Sequence, residues 1–561
     1  MKRIIAVLLA LVFLVGVMSL AACGPDDTER PGSPGATPPG GDADTEGLWS
    51  WQLDTSPFEF DILFSGTWGT FYPWRGSYVE DWIREDTGVT MNIIIPTGSA
   101  EEFFNVLIAA DDLPDALCYE WNNPSIQRLI EAGRIHSINE LSAQYAPELM
   151  GMIDEDIINF HSQPNGNLYY LISFMPSAEE FAKAHEKANI RGFFIQTGVN
   201  EALGRPEVNT PDDFIELLRT IRDEFPDRRP LIIENSLDVM ARGLHGGETL
   251  RFLSAVFAPE TLGRQFFIED GELRFLFESE GFVNAIGFLN QIFREGLISV
   301  DTLLLDDDRW GEELNSGNYA IAARFPIDIW RGHNPQIMLV TGDEGRTYEA
   351  MTPLFRVDGQ MPQFAGNRGP GWVGNMVTTN ATNPGRIIRF FQYAWQDYGQ
   401  ITNLFGREGI TFYWGEDGLP HYLPEILEEL AEDFDAWSDR WGIERRIMMW
   451  RPFWAGWQRV AIAPPEYAQF LEDTAVYAVD AWLMGIDDLL PDPTSREGVD
   501  YERIRMIWHQ ALNQMVFANS DEEFRAAYES AMIEIAEANL EGVRAVMFAN
   551  HLDELARKGV R

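Results

Sequence analysis

Cysteine is almost absent, with Cys23 and Cys118 the only two in 561 residues. With so few thiols, stability has to come from a packed core rather than from a disulfide framework. Cys118 lies in the apolar run Asp115-Ala116-Leu117-Cys118-Tyr119, which reads as a buried strand. Nothing beside it supplies the low-pKa setting of a catalytic thiol. Positive charge is scarce as well. Lysine occurs only as Lys2, Lys183, Lys187 and Lys558, and 42 Lys and Arg face 88 Asp and Glu, for a formal net charge of -46. Nucleic acid and anionic membrane surfaces are therefore excluded as main partners, because both would be repelled. The acidity is spread along the chain, as on a solvated surface.

Catalytic motifs are missing too. There is no G-x-S-x-G, Walker A, H-E-x-x-H or C-x-x-C, and the eight histidines are scattered. Gly369-Pro370-Gly371-Trp372-Val373-Gly374 matches G-x-G-x-x-G in letters only. A dinucleotide site needs a strand before that motif and a helix N-terminus after it, to aim amides at the pyrophosphate. Here the strand-like run Asn375–Thr379 follows, so a glycine turn entering a strand is expected. Asp306-Asp307-Asp308 could attract calcium, but consecutive carboxylates diverge, and a solvated turn before a helix is the plainer reading. No cofactor and no metal site are expected. Two carboxylates suffice for a glycosidase, and 88 acids offer many pairs, so a tethered hydrolase or lyase stays open at this point.

What the chain does have begins with Lys2 and Arg3, the apolar run Ile4–Leu20, and Leu20-Ala21-Ala22-Cys23. Basic start, apolar stretch and small residues before a cysteine resemble a bacterial lipobox. Residues 1–22 would be the signal peptide, and the mature protein would start at a lipidated, palmitate-bearing Cys23. An uncleaved anchor or an ordinary secretory signal is the alternative. Residues 23–47 carry Pro31, Pro34, Pro38 and Pro39 among glycines and acids, a composition that stays unfolded and would span about 25–30 Å as a coil. The expected location is the extracytoplasmic side of the cell membrane, held by lipid.

Folded sequence starts near Trp49, and its length calls for at least two lobes. Phe58–Phe64 alternates as a strand, a helix runs from Tyr78 to about Glu85, and Val89–Ile95 is a second strand. Ser99-Ala100-Glu101-Glu102 is a capping box opening a helix to about Ala110. The Cys118 strand and a helix from Pro124 to Ala132, stopped by Gly133, complete β-α-β-α-β-α, the pattern of a mainly parallel sheet. Further helices are expected over 211–225, 282–295 and 384–395 and from Ser520 to about Ala556, with a strand at Tyr319–Ala323.

Tryptophan on loops is the strongest binding signal. Trp68, Trp74 and Arg75 follow the first strand. Glu120, Trp121 and Asn122 follow the Cys118 strand, Arg324, Asp328 and Trp330 follow Ala323, and Trp372 sits in the glycine turn. In an open parallel sheet, ligands bind beyond the carboxyl ends of the strands. An indole stacks on the apolar face of a sugar ring while Arg, Asp, Glu and Asn meet its hydroxyls, so these ten are the candidate ligand residues. Any one of these indoles could equally plug a gap in the core.

The lipobox and tether, Ala110–Ala116, Glu131–Leu141, Gly166–Tyr170, Thr210–Phe214, Phe288–Ile298, Asn383–Phe391 and Phe405–Ile410 follow in an order that resembles extracellular solute-binding lipoproteins of bacterial ABC importers (family 1, the large carbohydrate-type branch). The resemblance implies an α/β, two-lobe periplasmic-binding-protein-like fold (type II, maltose-binding-like) with extra C-terminal helices, closing about a hinge. Its implied division is 48–165 as the first part of lobe I, 166–318 as the first part of lobe II, 319–385 as hinge strands and return to lobe I, and 386–561 as a helical remainder that completes lobe II and packs on lobe I. It implies a monomer that captures a sugar or oligosaccharide, hands it to ABC permease subunits and catalyses no reaction. A peptide ligand is the alternative within binding. Two departures stand out: Pro226-Asp227-Arg228-Arg229-Pro230 replaces an acidic loop resembling a calcium site, and segment 176–195 departs from the usual approach to the second lobe, so the ligand can differ.

Overall fold

The computed structural model describes residues 47–64, 73–96, 99–184, 187, 190–233, 237–303, 305, 307–443, 447 and 449–560. The signal, Cys23, nearly all of the tether, Trp68 and Asp306 lie outside the described residues. Among those described, no helix is long and apolar enough to cross a membrane, and no cluster of His, Cys, Asp or Glu is arranged for a metal.

The alternating opening is present: β1 (Phe58–Phe64), β2 (Val89–Ile94) and β3 (Ala116–Glu120) are separated by helices Tyr78–Thr87 and Ala100–Ala110, and Pro124–Glu131 follows. Local chemistry sets these ends. The Ser77 hydroxyl accepts the Glu80 N–H and the buried Glu80 carboxylate accepts the Ser77 N–H at 3.1 Å, a reciprocal cap. The same helix stops at Gly88, whose φ is 71° and where a Cβ would fall 2.1 Å from the Thr55 carbonyl oxygen. Cys118 is buried in β3, and burial pushes its thiol pKa well up, so it is inert.

The remaining strands are β4 (Leu171–Ile172), β5 (Gly192–Gln196), β6 (Arg229–Ile233), β7 (Phe266–Glu269), β8 (Glu272–Phe275), β9 (Tyr319–Arg324) and β10 (Tyr348–Ala350). After them come β11 (Phe364–Ala365), β12 (Val373–Val377), β13 (Phe412–Trp414), β14 (Pro420–Tyr422) and β15 (Ala478–Val479). The expected strand at 375–379 thus starts two residues earlier, directly after the glycine turn. Two sheets organise the molecule. The first has the order β2-β1-β3-β12-β4, with β12 alone running against its neighbours; the second has the order β10-β5-β9-β6. Strands β5, β6 and β9 send neighbouring side chains to opposite faces. Phe193, Ile195, Leu231, Ile233, Ile321 and Ala323 enter one core, and Phe194, Ile232 and Ala322 the core on the opposite face.

The chain passes between the sheets from Ile172 to Gly192 and again from Ala350 to Val373. A third passage joins helix Pro452–Ile462, on the first core, to helix Pro465–Thr474, whose Tyr467 and Phe470 pack on the second sheet. The second passage lies beside the first and beside the segment that follows helix Pro465–Thr474. β11 pairs in parallel with β15, the Gly366 N–H donates to Val479 O at 2.7 Å, and the Asn367 N–H donates to Lys187 O at 2.7 Å. Next to this bundle, buried Arg368 bonds Asp156 at 2.6 Å and Asp480 at 3.0 Å, and its guanidinium lies 5.7 Å from the Trp482 ring centroid. The last helix, Leu540–Arg557, is rooted in the second core through Val543 and Met547, and Arg557 reaches Phe160 O of the first at 3.3 Å.

Candidate ligand cleft

The passages leave the first sheet where β3 and β4 end and β12 begins, and reach the second sheet where β5 begins and β9 and β10 end. The passages join these two edges, which carry Trp121 and Trp372 on one side and Arg324 on the other.

On the first edge, register places Val373 opposite Glu120 and Gly374 opposite Ile172. Trp121 and Trp372 are thereby brought to one place, a juxtaposition that spacing in the sequence does not show. The Trp121 indole N–H donates to Gly371 O at 3.4 Å, and its ring meets His161 and Phe160 edge-on at 5.0 and 6.0 Å. It is 8% exposed, so most of it is a plug behind the edge. Trp372, 38% exposed, presents its ring outward, and its backbone N–H is held by Ser173 O at 2.9 Å. The glycines of this turn are steric necessities. Gly371 has φ 77° and no room for a Cβ, which would fall 2.3 Å from Ile172, and a Cβ on Gly374 would strike the Tyr170 ring at 2.8 Å. A strand, not a helix, follows, so no amide array is aimed at a phosphate.

Three residues that the sequence did not single out complete this edge. Phe174 has a φ of 63°, an unusual conformation for an aromatic residue, and donates its N–H to Trp450 O at 3.1 Å. Its ring lies 6.2 Å from Trp372 and 5.5 Å from Trp450, and the Arg459 guanidinium lies 5.6 Å from its centroid. Trp372, Phe174 and Trp450 form an aromatic bay from segments nearly 280 residues apart. Asn122 is exposed and Glu120 half-buried beside it. Trp74 packs against the first core with the Arg84 guanidinium 6.0 Å from its ring, and Arg75 is exposed. Trp68 falls outside the described residues.

On the second edge, Arg324 ends β9 opposite Gly192. Its Nε lies 3.1 Å from Asp328 Oδ2 and its guanidinium 4.9 Å from the Trp310 centroid. Burial lowers its pKa and Asp328 opposes the shift, so it stays a cation. Arg191, at the start of β5, bonds Glu248 at 2.5 Å and covers the Phe325 ring at 3.4 Å. Trp330 is half-buried, with Phe194, Tyr467 and Phe470 around its ring at 5.5, 5.9 and 5.9 Å. The cavity beneath β11, lined by Arg191, Glu248 and Arg251, holds about 20 Å³, room for roughly one water. In the loop that departs from the calcium-like pattern, Asp227 pairs with Arg228 and with Arg346, so guanidinium groups occupy its carboxylate.

Two α/β units, each a sheet with its own core, joined by several passages of the chain, have the fold seen in periplasmic solute-binding proteins. Solved structures agree. The alginate-binding protein AlgQ2, crystallised without calcium, superposes with a TM-score of 0.65 over 90% of this chain and 100% of its own at 16% identity. The Streptococcus pneumoniae ABC-transporter substrate-binding protein FusA, in complex with kestose, gives 0.62 over 89% and 100% at 15% identity. An HMO-binding solute-binding protein from Bifidobacterium longum infantis gives 0.62 over 89% and 99% at 14% identity. At these identities the likeness establishes the fold. In sequence, Lipoprotein LipO of Bacillus subtilis is 23% identical over 229 residues, which are 40% of this chain and 42% of LipO, so the match spans less than half of that relative. No protein-family profile matches the chain.

Proposed function

We propose that this chain is the membrane-tethered solute-binding component of an ABC importer, capturing a sugar or oligosaccharide between its lobes and delivering it to permease subunits. The observation that carries the reading is the meeting of Trp121, Trp372, Phe174 and Trp450 at the edge where the crossing strands leave the first sheet. Ring plates beside Glu120 and Asn122, opposite Arg324 and Asp328, supply the stacking faces and hydroxyl partners that a pyranose or furanose needs. Trp68, Trp74, Arg75 and Trp330 belong to the same proposed cleft. The protein acts as a monomer and catalyses no reaction. It is exported, and lipid on Cys23 holds it outside the membrane, with residues 23–47 as the leash. In domain terms, 48–165, β4 and the return through β12 build lobe I, the chain from β5 onward opens lobe II, and the helical remainder completes both.

The reading is tested by thermal-shift screening of the purified full chain against glycan and peptide libraries, with product analysis of each hit. Stabilisation by glycans that are recovered intact supports it. Stabilisation by peptides alone, or cleavage of the glycan, rejects it in favour of a peptide importer or a tethered hydrolase.

A further inference from the structure

We infer that the cleft takes an uncharged oligosaccharide and discriminates against uronate or otherwise acidic ones, an inference that rests on the carbohydrate reading above. Recognition of an anion requires guanidinium groups whose donors are available to it, preferably in pairs that grip a carboxylate bidentately. Three cations at these edges are already committed to acids of the protein. On the second edge, Arg191 is paired with Glu248 at 2.5 Å and Arg324 with Asp328 at 3.1 Å. On the first, Arg451, the neighbour of the bay's Trp450, gives Nε and Nη2 to Glu180 at 2.9 and 2.6 Å and Nη1 to Asp397 at 2.5 Å. A carboxylate on the ligand would have to displace one of these acids and leave it near the incoming charge, a like-charge contact that opposes binding. Long-range forces act the same way, because a chain of net charge -46 repels a polyanion before contact. What the bay presents is ring surface, Trp372 and Phe174, with the single guanidinium of Arg459 held 5.6 Å from the Phe174 centroid rather than a pair aimed at a carboxylate. That combination suits hydroxyls and the apolar faces of sugars rather than carboxylates.

The test is an array of neutral and acidic oligosaccharides, the acidic arm including alginate and galacturonate oligomers, probed with the full chain and followed by titration of hits at 20 and 300 mM NaCl. Binding confined to the neutral arm, with affinity changing less than about twofold between the two salts, is expected, since an uncharged ligand has no screened attraction to lose. Acidic oligomers bound with affinity that falls several-fold in high salt would overturn the inference and leave the carbohydrate reading standing. An array silent in both arms overturns the inference and the carbohydrate reading together.

Discussion

Arg331, in the turn after β9, holds its guanidinium carbon 5.0 Å from the ring centroid of Phe434, which packs on the core of the first lobe. The contact joins the lobes by a route separate from the crossing strands and sits on a π-helical turn, Ile329–His333, a local distortion often found where function requires it.

Phe434→Ala removes that contact. A cation–ring pair of this kind is worth about 0.5–2 kcal/mol, so the ratio of open to closed forms rises about two- to thirty-fold. Spin labels at Val106 and Leu339, exposed on helices of different lobes, report it as a longer mean distance in the ligand-free chain. An unchanged distance distribution shows that the pair does not hold the lobes.

Trp372 and Trp330 separate binding from packing. Trp372→Ala weakens oligosaccharide binding by the worth of a stacked ring, about 0.5–1.5 kcal/mol or two- to twelve-fold, and leaves the melting temperature nearly unchanged because the ring is already 38% exposed. Trp330→Ala empties a site among Phe194, Tyr467 and Phe470 and lowers stability by about 2 kcal/mol or more in urea titrations.

The C-terminus is a structural staple. Lys558 Nζ, fully buried, donates to Asp487 at 2.8 Å, Glu554 at 2.5 Å and Trp482 O at 2.7 Å. Lys558→Met strands buried carboxylates and is expected to cost about 3–5 kcal/mol in chemical denaturation. Deleting residues 558–561 should do the same.

Acid weakens the fold before the carboxylates titrate. Burial, the largest cause in each case, holds His161 at about 3 and His245 and His333 at about 4, against an ordinary 6.5. The unfolded chain takes up a proton at each below 6.5 and the folded chain does not. Their contribution is therefore complete above pH 6.5 and is lost as pH falls toward 4, by about 2 kcal/mol per group at pH 5. Urea midpoints at pH 7.5, 6 and 5 measure it, and His161→Phe flattens the dependence.

Much of the first lobe was legible in the chain. Ser99 before its helix, Pro124 and Gly133 mark ends by local chemistry, and the Cys118 run is buried as its apolarity implies. The Gly371 turn reads correctly because a Cβ has no room beside Ile172. The bay was only half legible. Trp372 advertises itself beside glycines, whereas Phe174, Trp450 and Arg459 become neighbours only when the third passage returns to the first sheet. No local pattern encodes a contact between residues 174 and 450. The five-residue strands β5 and β6 also escaped notice, since short apolar runs buried on both faces lack the alternation that marks a half-exposed strand.

Cys23→Ser tests the tether. Loss of the lipid site should release the chain from the membrane and reduce uptake, because tethering supplies an effective concentration at the permease of about millimolar, while ligand affinity in solution stays the same. Unchanged uptake would count against an importer role.

The central claim is capture of an oligosaccharide on the bay between the lobes. Isothermal titration of the full chain and of Trp372→Ala with the best glycan from the array tests it most directly. One site per chain, with affinity two- to twelve-fold weaker in the variant and equal melting temperatures, is predicted. Equal affinity in the two proteins, or no glycan binding at all, would contradict it.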